Sequence, residues 1–122
     1  MIRVVLALRV PTAVVESDAF LADAKAFFTE DERAELVLYI AMNPDAGVIM
    51  PATGGVRKLR WGVQGRGKSG GVRVIYYFHN ETLPVFMLNV FAKNEKADLS
   101  NAERNALRRY IPVMIAAYRS KK

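Results

Sequence analysis

Residues 72–92 have the sequence VRVIYYFHNETLPVFMLNVFA, which is the most informative segment of the chain for its fold. Two segments rich in β-branched and aromatic residues, 72–78 and 85–92, flank the polar run 79–82, and this pattern predicts a β-hairpin. The second segment is almost wholly apolar, which predicts a central strand that is covered on both faces.

Two helices are predicted on the N-terminal side of this hairpin. Asp18 can cap the first helix, and Thr29 with Glu32 has the spacing of a capping box that opens the second. Asn43 ends the second helix, because the residue before a proline is disfavoured in the α region. The side chains that we expect to face the core are Phe20, Ala24, Phe27 and Phe28 in the first helix, and Leu36, Val37, Ile40 and Ala41 in the second.

The remaining signals complete an α+β domain. Residues 57–63 predict a third strand and residues 13–16 a short one, whereas 45–55 predict a loop. Ser100 and Glu103 repeat the capping-box spacing and open a C-terminal helix, in which Pro112 predicts a kink or a break. We therefore expect two N-terminal helices packed on a small, mostly antiparallel sheet, with a C-terminal helix. Residues 13–122 are assigned to this domain, and residues 1–12, which show no clear periodicity, to an N-terminal extension.

Composition limits the class of protein. The chain has 122 residues, 52% of them hydrophobic, which is enough for one domain with its own core. It has no cysteine, which excludes disulfides and thiolate metal sites and suits a reducing compartment. Arg9 and Pro11 interrupt the apolar N-terminus, which is too short for a signal sequence or a membrane span. We expect a cytoplasmic protein that binds no membrane, uses no cofactor and has no catalytic metal.

The charges are unevenly distributed along the chain, whose formal net charge is +6. Residues 16–35 contain seven acidic side chains, whereas residues 57–73 contain six basic ones and no acidic one, and residues 104–122 add six more basic ones. Such concentrated positive charge is typical of proteins that bind a polyanion, because each phosphate contact releases counterions. The alternative is a basic surface that serves only solubility.

Residues 62–69, GVQGRGKS, match the phosphate-loop pattern G-x-x-x-x-G-K-S. That pattern binds phosphates through the amides of a helix that begins at the lysine. Here the predicted strand 72–78 follows instead. We interpret the segment as a cationic connection between two strands that can lie along a phosphate backbone. A phosphate-loop nucleotidase is the less favoured alternative, and tight binding of ATP would support it.

Strand alternation brings several cations together. Lys58 and Arg60 share one face of their predicted strand, and Arg73 lies on the corresponding face of the next strand. Lys93 follows the end of the third strand, so the four cations converge if neighbouring strands pair in register. Because Arg73 lies within an apolar strand, it must bind an anion, reach solvent or form a structural ion pair with Glu95 or Asp98.

The combination of these motifs resembles a known family. The segments TGGVRKLRW (53–61), GRGKSGG (65–71), VRVIYYF (72–78) and FAKNEKADLS (91–100) resemble HigB-type toxins of the RelE/ParE superfamily. The similarity extends from about Ala13 to Tyr118. It implies a RelE-like fold and a toxin that is neutralised by a cognate antitoxin, often a helix-turn-helix protein. It also implies an endoribonuclease that cleaves mRNA in the ribosomal A site by attack of the 2′-hydroxyl, leaving a 2′,3′-cyclic phosphate.

The same resemblance supplies candidate site residues. Lys58 and Arg60 match the lysine pair beside the scissile phosphate, Arg73 matches the arginine that neutralises the phosphorane charge, and Lys93 matches the lysine after the third strand. Lys58 is the candidate general base, whereas the general acid is either Lys93 or Glu95. The residues that we expect to contact RNA are Arg57, Arg66, Lys68 and Asn94.

Two departures from the RelE pattern leave alternatives open. Asn94 stands where RelE has a second arginine, and Ser100 stands near the place of its late tyrosine. A toxin similar to ParE, which binds DNA gyrase and cleaves nothing, is the alternative function, although such chains lack the cations on the strands. A relative that has lost its active site but kept its partner contacts is a third possibility.

Overall fold

The computed structural model describes residues 10–63, 71–96 and 98–121. In these residues one five-stranded sheet is flanked by three helices, which confirms the predicted α+β class. The elements in chain order are β1 (Val14–Glu16), α1 (Asp18–Ala24), α2 (Glu30–Met42), β2 (Val48–Ile49), β3 (Val56–Trp61), β4 (Val72–Tyr77), β5 (Val85–Ala92) and α3 (Asn101–Ser120).

The strands lie in the order β1-β5-β4-β3-β2, and every neighbouring pair is antiparallel except β1 with β5, which is parallel. The prediction that residues 85–92 form the central strand is therefore wrong. The short strand β1 adds outside β5 and the β2–β3 pair adds outside β4, so β4 becomes the middle strand. Both predicted strands of the hairpin are nonetheless buried along almost their whole length.

The sheet has a separate hydrophobic core on each face. On one face Phe20 and Ala24 of α1 and Leu36 and Ile40 of α2 pack against the strands. On the other face Ile111 of α3 packs against residues such as Ile75 and Phe86. The expected inward side chains of α2 are confirmed, since Leu36, Ile40 and Ala41 are buried and Val37 packs against the core. A sheet covered in this way explains why β4 and β5 carry few polar side chains.

The first helix differs from its prediction at both ends. Its N-cap is Ser17 rather than Asp18: the Ser17 backbone is extended, and its side chain accepts a hydrogen bond from the Phe20 N–H at 3.0 Å. The helix ends at Ala24, so Phe27 and Phe28 lie in the following turn, although both still pack against the core. The apolar spacing therefore identified buried side chains but overestimated the length of the helix.

The other two helices begin at the predicted capping boxes. Thr29 with Glu32 opens α2, and Ser100 with Glu103 opens α3. Helix α3 continues through Pro112, so of the two predicted outcomes, a kink or a break, the break does not occur. A proline removes one backbone donor and disturbs one turn, and the packing of the apolar face on the sheet is sufficient to hold the helix on both sides of it.

The predicted loop between α2 and β3 contains the edge strand β2 and a tight turn. The hydroxyl of Thr53, which is fully buried, donates to the Met50 carbonyl oxygen at 2.8 Å and accepts from the Val56 N–H at 3.0 Å. Gly54 and Gly55 both adopt positive φ angles, which few other residues tolerate. This turn fixes the start of β3 and thereby the positions of the basic residues that follow.

The proposed N-terminal extension, residues 1–12, stays a prediction, since residues 1–9 lie outside the described part of the chain. At its end the Thr12 N–H donates to the carbonyl oxygen of Ala41 at 2.8 Å, so the chain is already bonded to α2 before β1 begins.

Candidate functional site

Three of the predicted catalytic cations lie on the face of the sheet that packs against α3. Strands β3 and β4 are paired so that Arg60 is opposite Arg73, and Lys58 is opposite Ile75, a member of the core under α3. Directly paired residues project to the same face of a sheet. The register therefore brings Lys58, Arg60 and Arg73 together, two of them on β3 and one on β4.

Arg73 has an unusual environment for a charged residue. Its side chain lies in the middle strand and the residue is only 8% exposed. Among the described residues no acidic side chain forms an ion pair with it, and its one hydrogen bond is a long contact, 3.5 Å, from Nη1 to the Val72 carbonyl oxygen. The structural ion pair with Glu95 or Asp98 that the sequence left open is thus not formed. A buried guanidinium without a counter-charge favours binding of an anion.

Lys58, in contrast, has a carboxylate partner. Its Nζ lies 3.1 Å from Oδ2 of Asp98, and the same oxygen lies 3.1 Å from Nη2 of Arg104. Partial burial disfavours the charged form of Asp98, but the Leu99 N–H, the hydrogen bond and charge of Lys58 and the charge of Arg104 outweigh it and lower the pKa of this carboxyl. Asp98 is therefore an anion shared between the sheet and the first turn of α3.

The residues predicted after the third strand lie in an exposed turn next to the start of β4. The Lys93 N–H donates to the Gly71 carbonyl oxygen at 3.3 Å, and the Glu95 N–H donates to that of Ala92 at 3.1 Å. Lys93, Asn94 and Glu95 are all exposed. Since Arg73 is paired with Phe91, this turn follows the strand segment that neighbours Arg73. Lys93, Asn94 and Glu95 thus lie at the same end of the sheet as Arg60 and Arg73.

Arg57 lies apart from these cations. It is opposite Tyr76 on the other face of the sheet, and its Nη1 donates to the carbonyl oxygens of Asp45, at 3.1 Å, and Gly47, at 2.7 Å. The Tyr76 hydroxyl accepts from the Gly47 N–H at 2.7 Å and donates to the Pro44 carbonyl oxygen at 2.9 Å. Burial raises the pKa of this tyrosine. Arg57 and Tyr76 together hold the connection between α2 and β2.

Arg66 and Lys68 lie outside the described residues. The segment that contains them joins the end of β3, one residue beyond Arg60, to the start of β4, next to Arg73. The residues that follow this segment form the strand β4, as predicted. Residues 71–77 therefore do not contain the helix that a phosphate loop requires.

The sequence alone does not indicate the contact between Asp98 and Lys58. It suggests Asp98 only as a possible partner of Arg73, and it indicates no role for Arg104 beyond its charge. The available signal was the position of Asp98, two residues before the N-cap Ser100, which places it where a helix approaches the sheet. The spacing of residues does not indicate whether Asp98 contacts Lys58 or Arg73, because both cations lie on the same face of the sheet.

Two properties of the part of the chain that the structure describes concern membranes and metal ions. No helix there has the length and apolarity needed to cross a membrane. No three acidic or histidine side chains there are grouped closely enough to hold a metal ion.

Residues 38–121 match the family model described as RelE toxin of the RelE/RelB toxin–antitoxin system. The match covers more than half of the 122-residue chain and extends from the middle of α2 through the end of α3. It therefore includes β3, β4, β5 and all the candidate site residues.

Proposed function

The chain belongs to the RelE family of toxins from toxin–antitoxin systems, and from this premise we propose that it is a cytoplasmic endoribonuclease that cleaves mRNA in the ribosomal A site. Members of such systems are paired with an antitoxin, and for this chain we propose a cognate antitoxin of the helix-turn-helix class, as in the HigB branch that its motifs resemble. Growth would stop when the toxin is free of that antitoxin.

The observation that supports this function best is that Arg73 is buried and has no acidic partner among the described residues. A guanidinium that is 8% exposed and has no acidic partner among the described residues costs free energy in the folded protein. The sequence of residues 64–70, which lie outside the described part, contains no Asp or Glu that could pair with it. A phosphate in the substrate would provide the missing negative charge, and the planar guanidinium can bind it with two hydrogen bonds.

The proposed reaction needs stabilisation of charge more than a covalent step on the protein. The 2′-oxygen of the RNA forms a bond to the adjacent phosphorus and loses its proton, while the bond from phosphorus to the 5′-oxygen breaks and that oxygen gains a proton. Negative charge builds up on the phosphoryl oxygens between these events. Arg73 and Arg60, which are opposite one another, would stabilise that charge, with Lys58 beside them.

The candidate residues for proton transfer lie on the same sheet face and in the turn after β5. Lys58 remains the candidate for accepting the 2′-hydroxyl proton: it would enter the reaction as the neutral amine and leave it as an ammonium, which the ion pair with Asp98 then stabilises. Lys93 and Glu95 remain the candidates for donating the proton to the leaving 5′-oxygen, since both are exposed at the same end of the sheet.

The surrounding contacts with RNA would come from the connection between β3 and β4 and from the turn after β5. Arg66 and Lys68 lie in the first of these segments and Asn94 in the second. The RNA contact of Arg57 stays a prediction; its Nη1 donates to the carbonyl oxygens of Asp45 and Gly47, and it lies on the opposite face of the sheet from Arg73.

The function can be tested by mapping new mRNA 5′ ends in bacteria after brief induction of the protein. Arg73→Ala is the site variant, and Arg109→Ala, which removes an exposed arginine of α3, is the matched control for loss of one positive charge. We expect cuts within translated codons for the wild type and for Arg109→Ala, and at least a hundredfold fewer for Arg73→Ala, since a lost transition-state contact of this kind costs about 2.7–4 kcal/mol.

Other outcomes would redirect the search. Growth arrest with intact mRNA would contradict the nuclease and favour a toxin that acts on DNA gyrase. Neither arrest nor cleavage by the wild type would identify a relative without an active site. Cleavage that is equal in the wild type and Arg73→Ala would place the active site elsewhere.

A further inference from the structure

Asp98 connects a residue of the proposed active site to the first turn of α3. One of its oxygens, Oδ2, contacts Lys58 Nζ and Arg104 Nη2, each at 3.1 Å, and the other, Oδ1, accepts from the Leu99 N–H at 2.8 Å. The backbone N–H of the next residue thus fixes the Asp98 carboxylate, and the carboxylate in turn holds the Lys58 ammonium group.

Arg104, the other partner of Asp98, is itself fixed. Its Nη1 donates to the Pro51 carbonyl oxygen at 3.1 Å, and its Nε donates to that of Leu99 at 3.3 Å. Its side chain is only 17% exposed. A continuous series of contacts therefore extends from the turn before β3, through Arg104 and Asp98, to the ammonium group of Lys58.

A lysine needs such an anchor more than an arginine does. Its ammonium group is a compact charge at the end of a flexible four-carbon chain, and its position on a surface is not fixed by the backbone alone. The side chain of Lys58 is 26% exposed, so packing covers most of its carbon chain, and the ion pair with Asp98 holds the nitrogen at its end. Arg73 on the same face is held by burial and forms no ion pair with a carboxylate of the described residues.

We propose that Asp98 is a positioning residue that sets the place of Lys58 Nζ on the phosphate-binding face, at the expense of some affinity for RNA. This inference rests on the proposed nuclease function. The carboxylate adds one negative charge next to the place where the phosphate binds, which weakens binding, but it orients the side-chain nitrogen of Lys58 for the reaction. The two effects have opposite signs and can be measured separately.

The experiment uses Asp98→Asn, which keeps the shape of the side chain and removes its charge. Single-turnover cleavage of ribosome-bound mRNA is measured at increasing toxin concentration, which gives a maximal rate and a half-saturating concentration. We expect the maximal rate to fall about tenfold, because the charge-assisted contact with Lys58 is lost. The half-saturating concentration should fall about two- to fivefold, because one negative charge at a partly exposed site is removed.

The matched control is Glu16→Gln. Glu16 forms an ion pair with Arg33 at 3.2 Å, with both side chains 29% exposed, and it lies on β1 at the far edge of the sheet from β3. The substitution Glu16→Gln raises the net charge by the same amount as Asp98→Asn, so an effect of overall charge would appear in both variants. We expect Glu16→Gln to leave the maximal rate unchanged.

A double-mutant cycle distinguishes positioning from a structural role. If Asp98 acts through Lys58, Asp98→Asn should cause no further loss of maximal rate in a Lys58→Met background. Additive losses would overturn the proposal, and so would a variant whose maximal rate equals that of the wild type. If Asp98→Asn fails to fold, Asp98→Glu is put through the same cycle, with a smaller loss expected. A wild type that cleaves no RNA would instead contradict the proposed function itself.

Discussion

At the scale of single residues, two cations on one sheet face differ in their burial and in their acidic partners. Arg73 is buried and has no acidic partner among the described residues, whereas Lys58 is partly exposed and paired with Asp98. Buried charge without a partner lowers the stability of a protein, and such costs are tolerated mainly at functional sites. Arg73 is therefore the residue at which stability and function should conflict most clearly.

This conflict predicts the behaviour of Arg73→Met, which keeps most of the length of the side chain and removes its charge. The free energy of unfolding should rise, on the order of 1–2 kcal/mol, because an unpaired buried charge is replaced by an apolar group. Urea denaturation of purified protein measures this change, and RNA cleavage should be lost in the same variant. Arg60→Met is the control: Arg60 is exposed, so its removal should not stabilise the fold. A clear loss of stability in Arg73→Met would show that the guanidinium has a structural partner.

At the scale of elements, the start of α3 matters more for the site than the rest of that helix. The Ser100 side chain accepts from the Glu103 N–H at 3.1 Å, and the Glu103 side chain accepts from the Ser100 N–H at 2.8 Å. This capping box fixes the backbone two residues after Asp98. Helix α2 also begins with a capping box, at Thr29, but no candidate site residue is close to Thr29 in sequence.

The two capping boxes make a matched pair of variants, Ser100→Ala and Thr29→Ala. Each should lower the free energy of unfolding by about 1 kcal/mol, because one backbone N–H at a helix start loses its acceptor. Only Ser100→Ala should also slow RNA cleavage, since it loosens the segment that presents Asp98 to Lys58. Denaturation and cleavage rates measured on both proteins check this, and an equal effect of the two variants on cleavage would contradict the link between the helix start and the site.

At the scale of the whole molecule, stability should depend on pH through the carboxylates around α3. The hydrogen bond from Lys96 and the Ser100 N–H lower the pKa of Glu103 below its ordinary value of 4.5, and the pKa of Asp98 lies below 3.8. A group whose pKa is lower in the folded state contributes stability above its unfolded pKa and loses that contribution as pH falls. Acid should therefore weaken the attachment of α3 to the sheet.

The variant Glu103→Gln tests this dependence, because glutamine can still complete the capping box but cannot form the ion pair with Lys96. Its thermal midpoint should lie below that of the wild type at pH 7. The difference should shrink as pH falls below 4.5 and vanish once Glu103 is protonated in both the folded and unfolded states. A difference that persists unchanged at pH 2 would mean that the charge of Glu103 contributes nothing to the fold.

Most of the elements and of the core could be predicted from the sequence. Alternation and β-branching identify β1, β3, β4 and β5 to within one or two residues, whereas the edge strand β2 lies in a segment predicted to be a loop. The spacing of Thr29 with Glu32 and of Ser100 with Glu103 locates two helix starts, because these signals depend on interactions between residues close in the chain. Strand alternation also predicted that Lys58, Arg60 and Arg73 share a face, given the register that the structure then supplied.

Only the tertiary structure decided the order of the strands and the partners of the charges. The parallel pairing of β1 with β5 makes β4 the middle strand, and nothing local in residues 14–16 indicates which strand they join. Asp98 is 40 residues from Lys58 in sequence, so their contact exists only because α3 begins against β3. The same packing leaves Arg73 buried, with no carboxylate partner in residues 10–63, 71–96 and 98–121. Ion pairs between distant residues are fixed by how elements pack, whereas helices and strands are fixed largely by their own sequence, and this is why residue types could be predicted here but not their partners.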